Sequence, residues 1–211
     1  PVKHRSRAPV DAFGLVQVIV AAEAIGCEST EDEKKCETIL KDLPSVQGTG
    51  SGSGLLVNSD LGPGVLTAAH VCEHDVPDTF EHNGVKISIL SMTKIRIKVP
   101  TRGTYSASIM RLDKAKDLCL LRPENIFTHP VPIAEKSPHL GDVVYSIGAP
   151  YGIAGHEMAL IFKGFYSGKD RFGMDNQMVR FYTVPTRPGS SGSAVFNENW
   201  EVIGVIHTAF K

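Results

Sequence analysis

Short runs of β-branched and other apolar residues, separated by glycine, proline and polar residues, recur along most of the chain. Two of them are residues 85–90 (VKISIL) and 94–99 (KIRIKV). In the second run apolar and charged residues alternate, which is typical of a strand with one buried face and one solvated face. The pattern predicts an all-β fold of many short strands joined by turns.

The first 47 residues follow a different pattern and are predicted to form an N-terminal extension. Ser29, with acidic residues after it, is typical of a helix N-cap, and Pro44 is typical of a stop. We therefore expect a helix over residues 30–40. The apolar run of residues 13–20 fits a strand or a buried helix, because its periodicity does not separate the two.

Composition limits the classes of partner. The chain has 211 residues, 42% of them hydrophobic, which is enough to bury a sizeable core. Its net charge is −1 with the two signs mixed, whereas phosphate binding needs a concentrated basic surface, so no nucleic-acid partner is predicted. The N-terminal apolar run is too short to span a bilayer. Neither the cysteines nor the histidines have the spacing of metal ligands, so no metal and no cofactor is expected.

Residues 187–194 (RPGSSGSA) contain the leading candidate for a nucleophile. Ser191 lies in a Gly-x-Ser-Gly turn just before the apolar run of residues 194–196. A hydroxyl attacks a carbonyl only when a base takes its proton and nearby N–H groups hold the developing oxyanion. Gly189 gives the backbone the freedom to aim those groups. A plain Gly/Ser loop has the same composition, so the rest of the chain must decide.

A histidine and an aspartate precede this serine in segments that suit a catalytic triad. His70 directly follows the apolar run of residues 65–69, and Asp117 directly precedes that of residues 118–121. In a triad the imidazole takes the serine proton, and the aspartate fixes its tautomer. Either residue alone is equally well explained as a hydrogen-bonded histidine or a solvated carboxylate. Their joint occurrence in this order indicates the triad.

At these residues the chain resembles the trypsin-like (chymotrypsin-fold) serine peptidases. Within them it is most similar to the branch of the high-temperature-requirement proteases and the glutamyl endopeptidases. The matching segments are residues 52–57 (GSGLLV), 141–152 (GDVVYSIGAPYG), 188–196 and 201–208 (EVIGVIHT). The resemblance covers residues 48–210. It implies two antiparallel six-stranded-type β-barrels, residues 48–128 and 129–211, with an active site between them.

The resemblance also implies an activity. The chain would be a serine endopeptidase acting on proteins or peptides, with Ser191 as nucleophile, His70 as general base and acid, and Asp117 orienting the histidine. The backbone N–H groups of Gly189 and Ser191 would form the oxyanion hole. The alternative is a catalytically silent, protease-like binding module, against which the intact triad argues.

Four further residues bear on specificity. Pro185 stands where trypsin has the aspartate that binds Lys or Arg, so cleavage after basic residues is disfavoured. Thr186 matches the threonine with which glutamyl endopeptidases bind an acidic side chain, but His207 comes one residue later than their histidine. Without a β-bulge, Ile206 lines the pocket and His207 points towards Asp117; with one, His207 enters the pocket. Acidic and small or aliphatic preferences both stay open.

Four cysteines allow three pairings. Cys27 and Cys36 lie close together in the extension. Cys72 and Cys119 each follow a triad residue by two positions, so the triad should bring them near each other. Free thiols fit the sequence equally well.

The two ends of the chain leave two questions open. Members of the family usually have a further strand that closes the second barrel. Either the original chain continues past residue 211 and supplies it, or residues 15–20 do so. The chain starts with Pro1 rather than Met, so a secreted or periplasmic location and excision from a viral polyprotein are both consistent with it. No oligomeric state is predicted.

Overall fold

Strands make up most of the protein, and the all-β prediction is confirmed. The computed structural model describes residues 7–28, 33–74, 76–100, 102–172 and 176–207. The strands are β1 (Phe13–Cys27), β2 (Val46–Ser59), β3 (Gly62–Thr67), β4 (Thr79–His82), β5 (Val85–Val99), β6 (Gly103–Asp113), β7 (Leu118–Pro123), β8 (Val143–Gly148), β9 (Leu160–Phe172), β10 (Gln177–Tyr182), β11 (Ala194–Phe196) and β12 (Val202–Val205). The helices are α1 (Glu33–Asp42) and α2 (Ala69–Cys72), and a 3₁₀ turn covers Pro150–Gly152.

The first seven strands form one sheet in the order β1-β2-β3-β7-β6-β5-β4. β1 also pairs with β5, so six of these strands close into a barrel. The remaining strand, β4, pairs with residues 85–88 at the start of β5. Large side chains from separate strands fill the interior, among them Phe13, Leu55, Ile97 and Leu121. Closure pairs the strands on both sides and thereby removes open edges from this barrel.

The alternation seen in the sequence corresponds to the two faces of β5. Residues 85–90 and 94–99, separate runs in the sequence, belong to this one strand. In its second half Ile95, Ile97 and Val99 are buried, while the charged residues between them are exposed. The prediction of a half-exposed strand is therefore confirmed for residues 94–99.

β1 answers the question left open for residues 13–20: they form a strand. β1 runs antiparallel to β2 and to β5, so that Val16 lies opposite Gly52 on one side and Ile97 on the other. Residues 15–20, one candidate for the strand that closes the second barrel, do not take that place, because their backbone is paired on both sides within the first barrel. The division into domains at residues 47 and 128 stays a prediction. The pairing of β1 with β2 and β5 nevertheless makes this part of the N-terminal extension one of the strands of the first barrel.

The predicted N-terminal helix is present as α1, which ends two residues before Pro44. Ser29 and residues 30–32, where the helix was expected to begin, lie outside the described residues. Ile39 packs against β5, and a disulfide bond between Cys27 and Cys36 ties the helix to the end of β1. In the described ranges, neither helix has the length and apolar character needed to cross a membrane.

The resemblance implied a second six-stranded-type barrel. Within the described residues the second sheet has five strands, in the order β10-β9-β8-β11-β12, and forms a half-barrel. Its outer strands, β10 and β12, do not pair with each other within the described residues. Two side chains of β10 bridge the gap to the Ile203 carbonyl on β12: the Arg180 guanidinium donates at 2.5 Å and the Tyr182 hydroxyl at 3.3 Å. These bonds satisfy a carbonyl at an otherwise open sheet edge.

Candidate active site

His70 and Asp117 are joined by two hydrogen bonds. His70 lies in the single turn of α2, and Asp117 lies in the turn between β6 and β7 with φ 52°. One carboxylate oxygen is 2.8 Å from Nδ1 of His70, and the other accepts the backbone N–H of His70 at 2.9 Å. Because a carboxylate only accepts, Nδ1 must carry the proton that faces it. In the neutral imidazole, this tautomer leaves the lone pair of Nε2 available to accept a proton, as a general base requires.

Two further contacts hold the segment of His70 against that of Asp117. Cys72, at the end of α2, forms a disulfide bond with Cys119 in β7. Lys114, in the turn that carries Asp117, forms an ion pair with Glu73 directly after α2. The cysteine pairing that the sequence left open is thus the one that fixes two of the candidate catalytic segments to each other.

Removing the Cys72–Cys119 bond should destabilise the protein by about 2–4 kcal/mol, because a disulfide restricts the unfolded chain. The matched control is removal of Cys27–Cys36, which closes a loop of 9 residues instead of 47. The chain-entropy relation gives a difference of about 1.5 kcal/mol between the two losses. Urea unfolding of C72A/C119A and C27A/C36A measures both; an equal or larger loss in the control pair would contradict the expectation.

Two glycines give the Ser191 loop its shape. Gly189 has φ 90° and Gly192 has φ 84°, a region that disfavours residues with a side chain. A Cβ at Gly189 would lie 2.6 Å from the Ala149 carbonyl oxygen, and one at Gly192 would lie 2.0 Å from the Ser53 carbonyl oxygen. Both positions therefore require glycine for conformational and for steric reasons.

Hydrogen bonds hold all four backbone carbonyls of residues 188–191. The donors are, in chain order, the N–H of Tyr151 (2.6 Å), the hydroxyl of Ser53 (3.0 Å), the N–H of Ser193 (2.9 Å) and the N–H of Ser53 (2.7 Å). In the part of the chain that the structure describes, the N–H groups of Gly189 and Ser191 donate to nothing. Since the C=O and N–H of a trans peptide point in opposite directions, these two free donors point away from the groups that hold their peptides.

The glycine-rich face of β2 brings α2 and the Ser191 loop together. A Cβ at Gly52 would lie 2.5 Å from the Val71 side chain and 2.9 Å from the Ser191 carbonyl oxygen. The neighbour of His70 and the backbone of Ser191 therefore lie against the same glycine. Among the described residues, no hydrogen bond joins the Ser191 hydroxyl to His70. In enzymes without bound substrate the distance between a nucleophile and its base is often long, and it shortens when substrate binds.

Two features of this site were not predicted from the sequence. One is the period of two in Gly48, Gly50, Gly52 and Gly54, which predicts a strand with one face bare of side chains. The other is Ser53, which forms hydrogen bonds to the Ser191 loop. Nothing in the sequence around it predicts these bonds, apart from its position between two of those glycines.

Ile206 and His207, two of the residues considered for specificity, point in different directions. Nδ1 of His207 lies 3.8 Å from the Asp117 carboxylate, the orientation expected without a bulge after Gly204. The pairing of β11 with β12 does contain a bulge, but the extra residue is Ile203, which comes before Gly204 and not after it. The side chain of Ile206 packs against the core of the second sheet.

The two remaining residues lie before the nucleophile loop. Pro185 is exposed and Thr186 is half-buried. Among the described residues no hydrogen bond joins Thr186 to His207.

A groove of about 590 Å³ opens beside the Asp117–His207 contact. It lies between β10, β12 and the turn that carries Asp117, where the half-barrel is open. Burial raises the pKa of Tyr182 in its wall to about 12, so this hydroxyl stays protonated and can donate to Ile203 at neutral pH.

Residues 52–205 match the family model described as the trypsin-like peptidase domain. The chain belongs to the trypsin-like peptidases. The family assignment made from the sequence motifs is thus confirmed.

The relatives of this trypsin-like peptidase include proteases of the high-temperature-requirement branch. A probable periplasmic serine endoprotease DegP-like from Pseudomonas putida is 29% identical over 73% of this chain and 28% of its own length. The mouse serine protease HTRA4 is 24% identical over 78% of this chain and 30% of its own length. The chain thus spans less than a third of either relative.

A solved structure shows the same fold. The crystal structure of the serine endoprotease from Yersinia pestis superposes with a TM-score of 0.57 at 22% identity, covering 95% of this chain and 55% of that one.

Proposed function

We propose that this trypsin-like peptidase hydrolyses peptide bonds as a serine endopeptidase, with Ser191, His70 and Asp117 as its triad. The observation that carries the proposal is the pair of free N–H groups at Gly189 and Ser191, in a loop whose carbonyls are all held. Silent relatives commonly lack a triad member or have these N–H groups bonded within the protein. The presence of all three triad residues and of two free N–H groups supports the endopeptidase over the silent module.

The proposed reaction begins with attack of the Ser191 hydroxyl oxygen on the substrate carbonyl carbon. The hydroxyl proton passes to Nε2 of His70, and Asp117 stabilises the resulting imidazolium. The carbonyl π electrons move to the oxygen, and the N–H groups of Gly189 and Ser191 bind the oxyanion. As the carbonyl re-forms, the C–N bond breaks, and the leaving amine takes the proton from His70. The products of this half-reaction are a free amine and an ester of Ser191.

The ester is then hydrolysed by the same groups. His70 removes a proton from a water molecule, whose oxygen attacks the ester carbonyl and forms a second oxyanion in the same position. When this intermediate collapses, the Ser191 oxygen leaves and takes the proton from His70. The acid product departs, and the protein returns to its starting protonation state.

A fluorophosphonate probe tests the proposal directly. The Ser191 oxygen should bond to phosphorus, fluoride should leave, and peptide mapping should find one adduct per chain, at Ser191. Heat-unfolded protein is the control, since an unactivated serine does not react. A folded protein that resists the probe and cleaves no peptide would instead be a silent binding module.

We further propose that the residue preceding the cleaved bond is small or aliphatic. Ile206 contributes to an apolar cluster, and His207 is turned to Asp117 instead of facing Thr186. A carboxylate entering such a pocket would lose its hydration without gaining a cationic partner, which costs several kcal/mol. Acidic residues should accordingly be poor substrates.

His207→Ala should lower cleavage of all substrates alike, by about two- to fivefold, because it removes a partly exposed polar neighbour of the Asp117 carboxylate. Matched peptides with Glu, Gln, Val or Leu before the cleaved bond measure the effect. Their ranking should not change, because the variant alters the surroundings of Asp117 and leaves the pocket wall intact. Thr186→Val serves as the parallel variant: a selective loss of Glu cleavage in either protein would support an acidic pocket.

A further inference from the structure

We infer that Ser53 is a positioning residue for the nucleophile loop. This inference rests on the proposed function, since it assigns Ser53 the task of aiming the oxyanion-binding N–H groups. Ser53 lies in β2 of the first barrel, whereas the loop precedes β11 of the second sheet. Its contacts therefore join the two halves of the molecule at the reacting centre.

All the hydrogen-bonding groups of Ser53 are engaged, and the residue is 0% exposed. Its backbone N–H donates to the Ser191 carbonyl (2.7 Å), its hydroxyl donates to the Gly189 carbonyl (3.0 Å) and accepts the N–H of Ala149 (2.8 Å), and its carbonyl accepts the hydroxyl of Thr67 (2.7 Å). A buried serine with every polar group bonded has one preferred orientation.

The two bonds from Ser53 hold alternate peptides of the loop. They fix the carbonyls of Gly189 and Ser191, and hence the peptides 189–190 and 191–192. The peptides that carry the free N–H groups, 188–189 and 190–191, lie next to these. A rotation of the Gly189 carbonyl changes the torsions that join its peptide to these two. It therefore gives their N–H groups other directions, although the N–H groups of Tyr151 and Ser193 still bind the carbonyls of the same two peptides.

Of the four hydrogen bonds to the carbonyls of residues 188–191, only the one donated by the Ser53 hydroxyl can be removed by a substitution. Backbone N–H groups hold the other three carbonyls of residues 188–191, whereas a side chain holds that of Gly189. Ser53→Ala would leave the Gly189 carbonyl and the Ala149 N–H buried without their present partner. The loop would then gain alternatives in which one oxyanion donor points elsewhere.

Ser59 provides a matched control in the same strand. Its hydroxyl also donates to a carbonyl, that of Gly62 (2.7 Å), and accepts a backbone N–H, that of Leu61 (3.1 Å). Ser59 is the last residue of β2, beside the turn to β3, and neither of these two bonds reaches the Ser191 loop. Ser59→Ala removes the same kinds of bond, so it should lower stability in urea unfolding and leave turnover unchanged.

The test compares Ser53→Ala, Ser53→Cys and Ser59→Ala with the unchanged protein. Loss of a whole oxyanion donor lowers kcat by about 10²–10³-fold. In Ser53→Ala one donor would point elsewhere for only part of the time, so kcat should fall by about 10- to 100-fold. KM should change less than about threefold, and the affinity for a peptidyl boronic acid should fall together with kcat. Ser53→Cys, which keeps a weak donor, should lie between Ser53→Ala and the unchanged protein, and it serves as the test variant if the alanine variant does not fold.

Hydrogen–deuterium exchange over residues 186–193 provides a readout that needs no activity. Exchange there should rise in Ser53→Ala and stay unchanged in Ser59→Ala. If the unchanged protein neither cleaves peptides nor reacts with the probe, the proposed function fails, yet the exchange comparison still decides whether Ser53 holds the loop. Loss of stability with unchanged kcat, boronate affinity and exchange would overturn the inference and leave Ser53 a purely structural residue.

Discussion

Replacing Ser191 with alanine is expected to abolish turnover while the protein stays folded. The substitution removes the attacking oxygen, and loss of a triad member typically lowers the rate on the order of 10⁴-fold or more. The backbone bonds that hold this loop do not involve the Ser191 side chain, so urea unfolding should be almost unchanged. The measurement is kcat/KM on a cleaved peptide, with circular dichroism to verify the fold.

The neighbouring serines are the controls for this assignment. The Ser190 hydroxyl accepts the Arg187 N–H at 3.1 Å, and the Ser193 hydroxyl is buried with no hydrogen-bond partner among the residues that the structure describes. Neither is placed as the nucleophile, so alanine at either position should cost far less activity. Near-normal activity in Ser191→Ala, or a folded but inactive Ser193→Ala, would show that the nucleophile has been misassigned.

Asp117→Asn should lower kcat by about 10³–10⁴-fold. The carboxylate accepts from two groups of His70, the backbone N–H and Nδ1. An amide has a single oxygen, so its NH₂ group would face one of them. If it faces Nδ1, the imidazole must carry its proton on Nε2 and can no longer accept the serine proton. Activity should recover in part at high pH, which a rate profile from neutral to alkaline pH would measure.

Asp113→Asn is the control for that substitution. The Asp113 carboxylate accepts the backbone N–H of Lys116 at 3.0 Å and lies 3.6 Å from its ammonium group; in the described ranges no hydrogen bond joins it to His70. This variant should be almost as active as the unchanged protein. The opposite ranking of the two asparagine variants would assign the orienting role to Asp113.

Local signals in the sequence were sufficient where the chemistry depends on neighbours in the chain. The alternation of residues 94–99 follows directly from a strand with one buried face, and the requirement for glycine at position 189 follows from a turn with positive φ. Candidate triad residues could be named because each adjoins an apolar run. Their proposed roles await the substitutions above.

Other features depend on pairings between distant parts of the chain. Residues 13–20 fit two kinds of element locally, and pairing with both β2 and β5 made them a strand. The orientation of His207 depends on where one extra residue enters β12, and the bulge at Ile203 leaves no mark in the sequence. The contacts of Ser53 cross from one sheet to the other, so no local pattern announces them.

The position of β1 means that the first barrel includes residues outside the part of the chain that carries the family signature. The family match begins at residue 52, whereas β1 ends at Cys27 and still contributes one of the six barrel strands. A fragment cut at that match would keep every candidate catalytic residue, yet it would expose the unpaired backbone of β2 and β5 and the apolar interior between them. Exposed strand edges of this kind pair with other chains. For this protein, a fragment chosen by sequence similarity alone would be prone to aggregate.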